Sequence, residues 1–221
     1  MSSKPTRRTF IQASSAAIVG GALPSVARGV HSHGSSEIRF VLVGCGGRGT
    51  GAAAQIMNTK GNVKLVAVAD AFPNKAASTV RTLKKRHAGK VDVPEEQIFS
   101  GLGAYKQAID VDCDLVVIAT PPGFKPQQFE YAINKGRHVF MEKPVATDAP
   151  GVRRVLAAVE TSKQKNLMVG VGLQRRHEPR YMETVKRLQD GAIGDIITQR
   201  VYWNGSGIWY RGRQAEQSEM A

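Results

Sequence analysis

"VLVGCGGRGTG", residues 41–51, sets five glycines in eight positions directly behind an apolar run. The segment before it, "IRFVLVG" (38–44), reads as a buried strand, and "RGTGAAAQIMN" (48–58) behind it reads as a helix. Gly44-x-Gly46-x-x-Gly49 therefore stands at a strand-to-helix turn. There the first glycine permits the tight corner and the second lets the backbone approach a diphosphate at the helix N-terminus. The third allows the helix to lie close to its strand.

The next strand strengthens this reading. "VKLVAVAD" (63–70) ends in Asp70, 21 residues past Gly49. A carboxylate at that place can accept both ribose hydroxyls of an adenosine. The sequence thus predicts a dinucleotide cofactor held by Gly44, Gly46, Gly47, Arg48, Gly49 and Asp70. Asp70 favours NAD, because a 2′-phosphate would meet a like charge. The cations Arg48 and Lys75 leave NADP open.

Further along, apolar runs keep alternating with helical patterns. "PNKAASTVRTLKKRHAG" is a helix with Pro73 near its start and Gly89 past its end. "EQIFS" is a short strand, "DLVVIATP" (114–121) a buried one, and "KPQQFEYAINKG" a helix closing on Gly136. "HVFME" is the next strand, and "TDAPGVRRVLAAVETSKQKN" a helix capped by Thr147 or Asp148. "LMVGVG" (167–172) is the last strand of the series. Continuous apolar strands alternating with helices predict an α/β fold, a Rossmann-type doubly wound parallel sheet over residues 37–172. From residue 173 the texture changes. "EPRYMETVKRLQDGAIG" reads as a helix and "DIITQRVYWNGSG" as a longer strand with one wet face. Residues 173–221 are expected to be the incomplete start of an α+β C-terminal domain, with the chain truncated at "QAEQSEMA". Such a truncation would expose a sheet edge and predicts poor solubility.

Residues 1–36 are read as targeting sequence and linker. "TRRTF" (6–10) supplies a twin arginine, "IQASSAAIVGGAL" a modest apolar stretch, and "PSVA" a cleavage site after Ala27. This predicts a periplasmic or other extracytoplasmic protein that engages the twin-arginine export machinery. His31 and His33 sit in the linker and are given no metal role. The chain of 221 residues is 42% hydrophobic, yet no apolar run is long enough to span a bilayer. The formal net charge of +13 suits anionic ligands. Scattered cations and only 6% aromatic residues argue against a nucleic-acid module. Cys45 follows one strand and Cys113 precedes another, so they fall at opposite ends of a parallel sheet, about 15–20 Å apart. No disulfide is expected.

In a doubly wound sheet, ligands lie outside the carboxyl ends of the strands. The glycine loop, Asp70, Thr120 and Pro121 of "ATPPGF" (119–124), and Glu142-Lys143-Pro144 all fall on that edge. Lys143 is placed at the nicotinamide end, where an ammonium can orient a substrate oxygen and help move its proton. Pro144 fixes the turn behind it, with a cis bond open to it.

The glycine loop, "ATPP", "EKP" and "GAIGD" resemble the Gfo/Idh/MocA family, the relatives of glucose–fructose oxidoreductase and inositol dehydrogenase. The resemblance covers residues 37–212, with Glu-Lys-Pro its most specific element. It implies an N-terminal Rossmann domain and a C-terminal α/β domain that often mediates oligomerisation, hence a homo-oligomer in the complete protein. It also implies hydride transfer between NAD(P) and a hydroxyl of a sugar, cyclitol or related small molecule. Lys143 then matches the catalytic lysine, and Glu142 helps hold the nicotinamide ribose. Two departures stand out. Lys125 occupies a place where many members carry histidine, and the Asp-x-x-x-His pattern of the second domain is absent after "GAIGD". Lys125, Arg175, Arg176 and His177 are further candidates for substrate contact. Two other functions fit the same residues: an NAD-dependent glycosidase acting by transient oxidation and elimination, and a non-catalytic dinucleotide or sugar sensor.

Overall fold

Val, Ile, Leu and Phe dominate the strand segments because such side chains pack well on a pleated surface covered on both sides. The computed structural model describes residues 36–205. The elements in chain order begin with β1 (Ile38–Val43), α1 (Gly47–Met57), β2 (Val63–Asp70) and α2 (Pro73–His87). β3 (Ile98–Ser100), α3 (Ala104–Asp110), β4 (Leu115–Ile118) and α4 (Lys125–Asn134) follow. The series closes with β5 (His138–Met141), α5 (Ala149–Gln164), β6 (Val169–Val171) and α6 (Pro179–Gln189). The six strands form one sheet in the order β3-β2-β1-β4-β5-β6. Every pairing is parallel. This is the doubly wound order of dinucleotide-binding folds, and its direction reverses between β1 and β4.

Alternate residues of β1 serve opposite faces. Phe40 and Leu42 pack with Ala52, Ala53 and Met57 of α1 and with Ala76, Val80 and Leu83 of α2. Val41 and Val43 pack on the other face with residues of α3, α4 and α5, among them Ile109, Phe129, Ile133 and Val155. Phe40, Leu42, Leu65, Leu83, Phe129 and Ile133 are fully buried. Each such side chain contributes about 1.5–3 kcal/mol relative to exposure.

Helix C-termini leave carbonyls without partners, and two lysines from distant segments reach them. Lys90 Nζ donates to the carbonyls of Met57, Thr59 and Gly61 at 2.7, 3.3 and 3.4 Å, covering the end of α1. Lys165 Nζ donates to those of Ile133 and Asn134 at 3.0 and 2.9 Å, covering the end of α4. Asp148 caps the start of α5 by accepting from the Gly151 amide at 2.7 Å.

The segment from Asp195 to Gly205 is irregular, which corrects the expectation of a strand there. A strand exists by pairing, and among the described residues none pairs with this segment. Ile197, Val201 and Trp203 are 88%, 89% and 79% exposed. α3 was not anticipated from sequence. The described residues up to Leu173 form one compact unit and those from Gln174 a second. The twin-arginine segment, its cleavage site, His31, His33 and the tail "QAEQSEMA" lie outside the described residues. Among the described residues no helix is long and apolar enough to cross a membrane. Cys45 and Cys113 are both buried and free.

Candidate cofactor and active site

The glycine loop turns at the carboxyl end of β1. Gly44 has φ +98°, and a Cβ there would lie 2.7 Å from the carbonyl carbon of Ala119 and from the amide nitrogen of Thr120. A Cβ on Gly49 would sit 1.8 Å from the Gly44 carbonyl oxygen. These two positions are glycine because the fold itself needs them. Gly46 and Gly47 differ, since a Cβ at either would meet nothing within 4 Å. The space above them is open, and α1 begins there with no side-chain cap and no acidic residue in its first turn. Uncapped amides at a helix start, bared by glycine, suit the diphosphate of a dinucleotide.

The loop is fixed from β2 and α2. The Gly44 amide donates to Ala69 O at 2.8 Å. The Cys45 amide donates to Asp70 Oδ2 at 2.7 Å, and the Phe72 amide to Asp70 Oδ1 at 3.0 Å. Thr79, buried in α2, donates through Oγ1 to the Cys45 carbonyl at 3.0 Å. Asp70 therefore does more than sequence reading assigned to it: it ties the loop to the following turn. Each oxygen keeps a free lone pair for a ribose hydroxyl. Burial pushes the Cys45 thiol up to about 12, reinforced by the neighbouring charge of Asp70. The thiol is a packing group and no nucleophile.

Beside the loop, β4 is followed by Ala119, whose amide donates to Val43 O at 2.8 Å. Thr120 donates through Oγ1 to Gln128 Oε1 at 2.5 Å, and Pro121 leads into a short turn over Pro122–Phe124. After β5, the Glu142 amide donates to Ile118 O at 2.9 Å, Lys143 is exposed, and the Lys143–Pro144 bond is cis. Glu142 is buried. Its carboxylate faces Arg48, whose Nε and Nη2 lie 2.8 and 2.5 Å from Oε1. Gly172 makes room for it, since a Cβ there would stand 2.6 Å from Glu142 Oε2.

The structure thus gathers Gly44–Gly49, Asp70, Thr120, Pro121 and Glu142–Pro144 at the carboxyl edge of the sheet, around the reversal between β1 and β4. Lys125 is also drawn to this edge but turned inward. It is 2% exposed, and Nζ donates to the carbonyls of Glu142 and Pro144 at 2.6 and 2.9 Å. Arg175, Arg176 and His177 form a short turn in the second unit. There Arg175 pairs with Glu178 at 3.2 Å and lies 5.0 Å from the ring centre of Tyr181. Arg176 and His177 are exposed. Sequence reading missed Thr79, the inward turn of Glu142 and the task of Gly172. Each depends on contacts between distant segments and leaves no local signal.

Residues 38–173 match the family described as "Oxidoreductase family, NAD-binding Rossmann fold", and the chain belongs to this Gfo/Idh/MocA family. It is 33% identical over 164 residues to an inositol 2-dehydrogenase of Rhizobium meliloti, covering 72% of this chain and 43% of that protein. It is 26% identical over 171 residues to a scyllo-inositol 2-dehydrogenase (NAD(+)) of Bacillus subtilis, covering 77% and 46%. The crystal structure of scyllo-inositol dehydrogenase from Lactobacillus casei, with bound NAD(H) and scyllo-inositol, superposes with a TM-score of 0.57 at 28% identity. That match covers 72% of this chain and 43% of that one. The chain therefore spans less than half the length of these relatives.

Proposed function

We propose that this chain carries the cofactor-binding half and the lysine of an NAD-dependent oxidoreductase acting on a hydroxyl of a cyclitol or sugar. The observation that carries the reading is the meeting of the Gly44–Gly49 corner, Asp70 and Glu142–Lys143 at one sheet edge. The open space at Gly46 and Gly47 and the uncapped start of α1 fit the diphosphate. Asp70 accepts from the adenosine ribose, and Glu142 from the second ribose. Bound NAD supplies a hydride acceptor for the carbinol carbon. The ammonium of Lys143, exposed at the turn, donates to the substrate oxygen and orients the alcohol, while the hydroxyl proton leaves to a general base that none of these residues supplies. The inositol dehydrogenases among the relatives support a cyclitol as substrate.

Titration of the purified protein with NADH and NADPH tests the binding half. NADH is expected to bind more tightly, because Asp70 repels a 2′-phosphate. Binding of neither would overturn the reading. Net NADH formation from inositols tests the chemistry and separates a dehydrogenase from the glycosidase alternative, which returns its hydride.

Export by the twin-arginine route is proposed from "TRRTF" and the apolar segment behind it. Replacing Arg7 and Arg8 by lysine should retain the protein in the cytoplasm, as fractionation would show. Unchanged localisation would overturn that proposal.

A further inference from the structure

Lys125 is an unfavourable residue for its place. It opens α4, where the helix dipole disfavours a cation, and no acidic residue stands in the first turn to offset it. It is 2% exposed, and burial holds its ammonium below the ordinary lysine range although the charge of Glu142 pulls the other way. What compensates is a pair of charge-assisted hydrogen bonds, 2.6 Å to Glu142 O and 2.9 Å to Pro144 O. Those two carbonyls flank Lys143 on either side. The Glu142 amide is meanwhile held by Ile118 O at 2.9 Å, and its carboxylate by Arg48. The backbone of Lys143 is therefore clamped from both neighbours while its side chain stays exposed.

We infer that Lys125 is a positioning residue that fixes the Glu142–Lys143–Pro144 turn against the nicotinamide half of the cofactor site. It does not touch substrate itself. The inference rests on the dinucleotide reading above and concerns one half of that site only. The adenosine half, built by the glycine loop and Asp70, has no contact with the Lys125 ammonium.

The test compares two probes on the full chain. ADP reaches the glycine loop and Asp70 alone, whereas NADH also needs the turn at Lys143. Lys125→Met should weaken NADH about tenfold and leave ADP within about twofold. Lys125→Arg, which keeps donors for both carbonyls, should restore most of the NADH affinity. Lys125→Gln, whose shorter amide keeps N–H donors but no charge, should fall between them, and it carries the comparison if the methionine variant does not fold. Equal losses for both probes would mean a merely structural role and overturn the inference while the dinucleotide reading stands. Unchanged NADH affinity in both the methionine and glutamine variants would overturn it as well. A wild-type chain that binds neither probe would overturn the dinucleotide reading, and this inference with it.

Discussion

Arg48 and Glu142, 94 residues apart in sequence, meet across the sheet edge with Nη2 and Oε1 2.5 Å apart. One belongs to the phosphate loop and the other to the turn that carries Lys143, so the pair joins the two halves of the cofactor site. The Arg48 side chain is 50% exposed but that of Glu142 only 8%, so the pair is half-buried and not a surface pair. Glu142→Gln keeps the shape and an acceptor for Arg48 while removing the charge whose burial is costly, and is expected to leave the melting temperature within a few degrees of wild type. It should weaken NADH about tenfold, because a charged acceptor for the second ribose is lost. Thermal melts and titration on the same preparation check both halves of the statement.

The glycines of the loop should divide into two groups. Gly44→Ala places a methyl 2.7 Å from two backbone atoms at φ +98°, and Gly49→Ala drives one into the Gly44 carbonyl. Both should destabilise by about 3 kcal/mol or more, as strain and overpacking combine. Gly46→Ala meets no protein atom within 4 Å. It should fold like wild type and lose at least tenfold in NADH affinity. Chemical denaturation and titration together separate the two effects.

Under the proposed oxidoreductase reading, Lys143→Ala should keep cofactor affinity within about threefold while turnover of the alcohol by the full-length protein falls by about 10²–10⁴. Nicotinamide absorbance reports the rate, and titration with NADH reports the binding. Turnover that survives the substitution would remove Lys143 from the reaction.

Lys90→Met should lower stability by about 1–2 kcal/mol, since the Met57 carbonyl at the end of α1 and those of Thr59 and Gly61 just beyond it lose this donor. NADH affinity should not change, as Lys90 lies at the end of the helix remote from the glycine loop.

The two thiols set an alkaline limit. Burial raises Cys45 to about 12 and Cys113 to about 11, against 9.0 when unburied. The native state therefore holds protons that the unfolded state releases from about pH 9 upward, and stability falls as pH rises through that window. Below it this contribution is fully present. Denaturation at a series of pH values should show the decline, and neither thiol should react with iodoacetamide in the folded protein at neutral pH.

Much of this molecule is written locally. The second strand runs over Val63–Asp70 as its apolar pattern indicates, because Leu65–Ala69 form an unbroken apolar run buried on both faces. Gly44, Gly46 and Gly49 follow β1 and open α1 as their spacing implies, and Asp148 is the cap. The losses have physical causes. α3 has seven residues, two turns, too few for a 3.6-residue period to show against the glycines before it. The alternation after Asp195 resembles a strand, yet alternation cannot supply the neighbour that a strand requires. From sequence Lys125 is a candidate for substrate contact, and only the approach of residues 142–144 shows that it is buried and bonded to their backbone instead. Side chains that act across the sheet edge are invisible until the sheet order is known.

The sheet order also sets a timetable. The Asp70 carboxylate can reach the Cys45 amide once 25 further residues have been made, but Glu142 must be synthesised 94 residues after Arg48. At about 5–20 residues per second, roughly 5–20 s of translation separate the phosphate loop from its far wall. The Gly44 corner meanwhile waits for Ala119 to pack against it. A growing chain therefore acquires the adenosine side of its pocket first and the nicotinamide side afterwards, so full cofactor capture waits until synthesis has passed Glu142.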